Sequence, residues 1–181
     1  MIVIFSGSSG VGKNTVINEL IAKGIGTLMP TFTTRAIRVG EKEGAPYYFV
    51  DKEKFESMIE KGEFYEYEFV HNKNYYGTHK KTVEKFSKEG GVLLKDIDVL
   101  GALNLKKVLD KDIKLFTIYL DIDKQTLKDR LVGRGETDIE NRLARFDFEL
   151  SYAKHYDLVI NNVDLIETVN KCIEAIERAA R

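Results

Sequence analysis

The sequence predicts an α/β fold, a parallel sheet flanked by helices and interrupted once by a small mixed α/β insert. Three observations carry that prediction. Apolar, β-branched runs read as buried strands at Ile2–Phe5, Gly91–Ile97, Lys114–Asp121 and Asp157–Asn161. Longer helical patterns separate them, so consecutive strands need crossover connections and run parallel. Between Thr31 and Gly77 the rhythm changes to loop, a short strand YYFV, a helix and the alternating run FYEYEFV.

Taken in order, the first strand stops at Ser6, too soon for a signal peptide or a membrane span, and no later run reaches spanning length. A cytoplasmic protein with no membrane partner is the expectation. Helical patterns cover Thr15–Ala22, Asp51–Lys61, Lys80–Lys88, Val99–Leu109, Lys124–Val132, Ile139–Lys154 and Val163–Ala180. A polar patch, VGRGETDIEN (Val132–Asn141), interrupts the later helical segments. At 181 residues the chain suits one domain with a mobile insert. Its 28 basic and 29 acidic residues leave a net charge of −1, which gives no footprint for nucleic acid or an anionic membrane. Cys172 is the only cysteine, so no intramolecular disulfide forms. His71, His79 and His155 lack metal-ligand spacing and receive no role.

The strongest chemical signal is FSGSSGVGKNT, Phe5 to Thr15. Gly7, Gly12 and Lys13 fit G-x-x-x-x-G-K between a strand and a helix, the context that a phosphate loop requires. Glycines let backbone N–H groups close around phosphate oxygens, and the helix aims its positive end at the same anion. Gly7, Ser8, Ser9, Gly10, Val11, Gly12, Lys13, Asn14 and Thr15 are therefore the expected ATP cradle, with Lys13 the cation beside the β- and γ-phosphates. Asn14 stands where a magnesium-binding hydroxyl often sits, and Thr15 next to it can serve the metal instead, directly or through water. Asp96 and Asp98, two apart at the end of an apolar run, share one face at the sheet's ligand-collecting edge; Asp98 is equally placed to cap the next helix.

Beyond the loop, TTRAIRVGE, FYEYEFV, NYYGT and DIDVLGA follow in order. The combination resembles the guanylate kinase family, from the phosphate loop nearly to the C-terminus. The resemblance implies a P-loop kinase fold, with a core of residues 1–30 and 79–181, a monophosphate-binding insert of residues 31–78 and a lid near residues 132–142. It implies transfer of a phosphoryl group from ATP to GMP with Mg2+, by a monomer or homodimer. Arg35, Arg38, Tyr47 and Tyr76 would hold the GMP phosphate, with Glu41 in the same segment; Glu66, Thr31 and Thr78 would face guanine. Paired guanidiniums suit a phosphate dianion, and a carboxylate accepts guanine's adjacent N1–H and N2–H while repelling the lone pair at adenine N1.

The same resemblance puts Asp96 and Asp98 near GMP and the hydrated metal, with Asp96 and Thr15 as its candidate ligands, and Asn161 near adenine. Asp96 stands where the family frequently has Glu, and Leu100 replaces a frequent Gln. Arg130, Arg134, Arg142 and Arg145 lie around the lid, where the resemblance implies that such arginines neutralise charge on the transferring group; because the segment from Gly135 to Arg142 is shorter than usual, Arg134 and Arg145 are favoured over Arg142. Lys13, Arg38, Arg134 and Arg145 are the expected catalytic set. Two alternatives remain at this point: a guanylate-kinase-like binding module without catalysis, and a related kinase with another acceptor.

Overall fold

Five residues with no accessible surface among their side chains, Ile2–Ser6 (β1), form the centre of the first sheet in the computed structural model, which describes residues 1–38, 40–44, 46–70, 73–109 and 111–181. His71 lies outside the described residues. Around β1 run Thr27–Leu28 (β2), Leu93–Asp96 (β8), Leu115–Asp121 (β9) and Leu158–Asn161 (β10), in the order β10-β9-β1-β8-β2. Every pairing is parallel. That arrangement is the one which buried, β-branched strands joined by helical crossovers demand.

Strand alternation sends Val3 and Phe5 to one face and Ile2 and Ile4 to the other. On the first face they meet Val16, Ile17 and Leu20 of α1 (Lys13–Ala22), Leu127 and Leu131 of α5 (Lys124–Gly133), and Val169, Cys172 and Ile176 of α8 (Leu165–Ala180). On the second they meet Met29, Val83 of α3 (Lys80–Glu89), and Ala102 and Leu105 of α4 (Val99–Val108). Caps start several of these helices. Asp98 accepts from the backbone N–H groups of Leu100 (2.8 Å) and Gly101 (3.1 Å), and Asp123 and Asp164 do the same for α5 and α8.

The insert builds a second sheet from Thr31–Thr33 (β3), Lys42–Glu43 (β4), Pro46–Phe49 (β5), Phe64–Val70 (β6) and Asn74–His79 (β7), in the order β4-β5-β3-β7-β6. It is mixed: β3 pairs parallel with β5 and antiparallel with β7. Its own apolar cluster, Phe55 and Met58 of α2 (Lys52–Glu60) with Phe64, is separate from the two around the first sheet. The helix expected over Ile139–Lys154 is instead α6 (Ile139–Ala144), α7 (Phe146–Ser151) and a 3₁₀ turn at Ala153–His155. The break at Arg145 drops Phe146 into the core beside α5 while Arg142 and Arg145 remain toward the cleft. Among the described residues, no helix is long and apolar enough to cross a membrane.

Candidate active site

The loop after β1 closes on itself. Val11 donates its N–H to the Ser8 carbonyl at 3.0 Å, and the Lys13 ammonium reaches across to the carbonyls of Gly7 (2.7 Å) and Ser8 (3.3 Å). Gly12, at φ 106°, is the N-cap of α1, and a Cβ there would come within 2.8 Å of the Asn162 side-chain nitrogen. Only glycine turns the chain this way without strain. A small cavity of about 180 Å³ lies over the start of α1, walled by Ser9, Gly10, Gly12, Lys13, Asn14 and Thr15, with Asp96, Arg134, Glu136 and Arg142 opposite. It therefore gathers a helix N-terminus, a lysine and two arginines, an environment suited to a polyanion.

Asp96 lies 3.9 Å from the Lys13 ammonium and borders two further cavities, each close to 400 Å³. One is basic and phenolic: Arg35, Arg38, Glu41, Tyr47 and Tyr76 line it. Arg35 is held by Glu41 through paired bonds of 3.0 and 2.8 Å, and its guanidinium lies over the rings of Tyr47 and Phe49. Glu41 also accepts from the Arg38 backbone N–H at 2.7 Å. These hydrogen bonds, Arg35 first, hold the Glu41 carboxyl below its ordinary range. A carboxylate so engaged would repel an anion, so the part the geometry gives Glu41 is to aim Arg35. Burial raises the Tyr47 phenol, keeping it a neutral donor.

The adjoining cavity holds Thr31, Glu66, Glu68, Lys95, Asp98, Arg145 and Glu149. Glu66 and Thr78 are register partners across β6 and β7, and the fully buried Thr78 hydroxyl donates to the Glu66 carboxylate. The alternation of FYEYEFV also fits an exposed edge, but the sheet turns Glu66 into the cavity. Burial raises its carboxyl, with the Lys95 charge opposing. Lys95 itself is only 3 % exposed and donates to Thr31 Oγ1 at 2.8 Å. No sequence signal singled it out; a lysine inside LLKDI reads as the polar end of a strand.

The guanylate kinase family model matches residues 1–179. A guanylate kinase from Prochlorococcus marinus is 38% identical over 97% of this chain and 96% of its own length. One from Clostridioides difficile is 38% identical over 97% of this chain and 86% of its own. The crystal structure of guanylate kinase from Anaplasma phagocytophilum superposes with a TM-score of 0.75 at 31% identity, covering 98% of this chain and 84% of that one. The chain belongs to the guanylate kinase family.

Within this guanylate kinase family chain, three expectations about individual residues change. Asn161 closes β10 and turns outward, lining a groove with Lys171 and Arg178 of α8, away from the phosphate loop. Adjacent residues of an extended chain point oppositely, so it is Asn162, 3 % exposed, that reaches the loop, donating to the Val11 carbonyl at 2.7 Å. Arg130 is committed elsewhere than the transferring group: its guanidinium donates to the carbonyls of Val11 (3.0 Å), Asn162 (2.9 Å) and Val163 (3.2 Å), tying the loop to the end of β10. Arg142, ranked below Arg145 from the sequence, donates to the Ser9 hydroxyl and pairs with Glu136 at 3.0 Å. Arg145 faces the cavity that holds Glu66 and lies 3.5 Å from Glu149. The shortened lid segment hid this ordering, because one helical break at Arg145 decides which arginine meets the loop.

Proposed function

We propose that the chain transfers the γ-phosphoryl group of ATP to GMP, giving ADP and GDP. The observation that supports this reading is the meeting of three compartments at Asp96, beside Lys13: a phosphate loop, an arginine–tyrosine pocket and a pocket with a buried carboxylate. ATP lies along Gly7–Thr15 with its γ-phosphate at Lys13, and GMP lies with its phosphate at Arg35, Arg38, Tyr47 and Tyr76. Phosphoryl transfer asks chiefly that two anions be placed in line and their charge be met. Arg35 arrives pre-aimed by Glu41, so little order is lost when phosphate binds. Lys13, freed from the Gly7 and Ser8 carbonyls, follows charge onto the β-phosphate, while Arg134 and Arg142 meet the transferring oxygens from the lid.

Glu66 accepts the N1–H and N2–H of guanine, and Thr78 fixes the carboxylate's direction. Asp98 divides its labour: one oxygen caps α4 and the carboxyl's other edge faces GMP. Residues 31–78 act as the acceptor lobe on the core of residues 1–30 and 79–181, with the lid at residues 132–142; closing them excludes water, which would otherwise take the phosphoryl group. Among the described residues no three acidic, histidine or cysteine side chains form a metal cage. Magnesium needs none, because it keeps waters and binds through one or two carboxylates plus substrate phosphates. Asp96 and Thr15, oxygen donors lining the loop cavity, fit that habit and would hold it. When bound, the metal would supply positive charge that offsets the charge of the reacting phosphates. A cytoplasmic location goes with these substrates.

The test is ADP release from ATP presented separately with GMP, AMP, UMP and CMP. GMP should be turned over far faster than the others. Equal turnover with AMP rejects the guanine assignment, and no turnover with any acceptor favours a binding module.

A further inference from the structure

Lys95 is a buried amine with spare hydrogen-bonding capacity. Its side chain rises from β8 on the same face as Leu93 and Ile97, a face otherwise packed with Ile2, Ile4, Met29 and Leu105. Only 3 % of the residue is accessible. A lysine ammonium carries three donors, and among the described residues one hydrogen bond is made, to Thr31 Oγ1 at 2.8 Å. Among the described residues no carboxylate comes within ion-pair distance of it, although Glu66, Asp96 and Asp98 all lie near enough to act on its charge. A buried donor left without a partner costs stability. A chain that keeps one, bordering the cavities that hold Glu66 on one side and Arg35 with Tyr76 on the other, has it aimed at a ligand.

We infer that Lys95 is a specificity-determining residue that donates to O6 of the acceptor base, so that Lys95 and Glu66 together read the 6-oxo, N1–H edge of a purine monophosphate. This rests on the GMP reading above. The two groups are complementary to one edge: guanine offers O6 and N7 as acceptors and N1–H and N2–H as donors, whereas adenine puts an amino donor at position 6. Against adenine, Lys95 would face N6–H donors and Glu66 the N1 lone pair, so both contacts turn unfavourable at once. The base side is favoured over the phosphate side because Lys95 is anchored on Thr31 and opposes Glu66, while the phosphate side already holds two guanidiniums and two phenols. Inosine monophosphate shares O6 and N1–H and lacks only the 2-amino group, so it counts among the acceptors this edge recognises.

The experiment measures kcat/KM with ATP for GMP, IMP and 6-thio-GMP in the wild type, Lys95→Met and Lys95→Gln. A thiocarbonyl is a weaker acceptor than a carbonyl, which makes 6-thio-GMP the readout of the O6 contact. Lys95→Met should lower GMP and IMP together by about tenfold to a hundredfold, the scale of one charge-assisted hydrogen bond, and leave 6-thio-GMP nearly unchanged. Lys95→Gln, whose amide still donates, should recover part of the GMP preference. Preferences between substrates within one variant cancel the fraction of folded enzyme, so a poorly folding variant remains informative. A Lys95→Met enzyme that loses all three substrates in equal proportion, or none, overturns the assignment to O6. A wild type inactive with GMP overturns the acceptor reading itself.

Discussion

Arg130→Met separates a structural clasp from a catalytic arginine. The substitution keeps the side-chain stem and removes the guanidinium that bonds the carbonyls of Val11, Asn162 and Val163. Each carbonyl fares differently. Val11 retains the Asn162 amide at 2.7 Å, and Val163, 60% exposed, exchanges arginine for water. The Asn162 carbonyl, on a residue 3% exposed, is the one left without a partner. A stranded buried acceptor costs about 1–3 kcal/mol, and the lost charge-assisted bonds add a smaller net term where water can compete. The expected loss is about 2–3 kcal/mol. For a chain of this size, each kcal/mol moves the midpoint by about 2–4 °C, so Tm should fall by roughly 4–12 °C. Thermal unfolding by calorimetry, alongside steady-state kinetics with ATP and GMP, reads both quantities. KM for ATP should rise, because Val11 and the loop lose their tie to β10, while kcat at saturating ATP stays within about tenfold of wild type. An unchanged Tm with kcat reduced more than about a hundredfold would refute the reasoning and return Arg130 to the transferring phosphoryl group.

Two further outcomes follow from the site's charges. Arg142→Ala should depress kcat more than Arg145→Ala, about tenfold to a hundredfold against a few-fold, because Arg142 touches Ser9 of the loop whereas Arg145 spends itself on Glu149; equal losses in single-turnover rates would remove the distinction. Glu68 makes stability depend on pH: its hydrogen bond with Asp98, then burial, push the Glu68 carboxyl up to about 7 from its usual 4.5. The folded chain thus holds a proton that the unfolded chain has released, so this contribution is full below about 4.5 and is lost as pH rises through about 7. Tm should decline from pH 5 to 8 by more in wild type than in Glu68→Gln, and identical pH slopes in the two proteins would exclude the pair.

Much of the core was legible because its signal is one-dimensional. Buried parallel strands print themselves as apolar runs, and three of the four expected from sequence contain β8, β9 and β10 while the first stops one residue short of the end of β1. FYEYEFV alternates with period two and coincides with β6. The strands left unread are those whose stability comes from partners: Thr27–Leu28, Thr31–Thr33 and Lys42–Glu43 are too short for a period, and NYYGT forms a strand because β3 and β6 flank it. Ile139–Lys154 read as one helix because its apolar spacing persists through the break, whereas the turn at Arg145 is set by where Phe146 packs. The same limit governs the site. Gly7, Gly12 and Lys13 are contiguous and obey a spacing rule, so sequence finds them. Asn162, Arg130 and Lys95 act through contacts over long separations, and their neighbours in sequence say nothing about their targets.

The placement of the cores bears on how such a site can move. The side chains assigned to the acceptor phosphate, Arg35, Arg38, Tyr47 and Tyr76, sit on the second sheet and its loops, whose apolar cluster around Phe55 and Phe64 is separate from the clusters of the first. A lobe with its own core can rotate as a unit, so the energetic cost falls on the groups that bridge the two. Those groups include polar pairs, Lys95 with Thr31, Glu68 with Asp98, and Arg145 near Glu68, together with Tyr65 of β6, which is buried in the first sheet's cluster with Ile2, Ile4 and Ile97. Polar bridges at a wet cleft exchange partners with water at a cost of about 1 kcal/mol each, against several for parting a packed apolar face. On the proposed reading, closure would turn on whether the acceptor's phosphate and base offer these groups better partners than they offer one another. Glu66 and Lys95, which face the same cavity without forming an ion pair, are the bridge left for the base to complete.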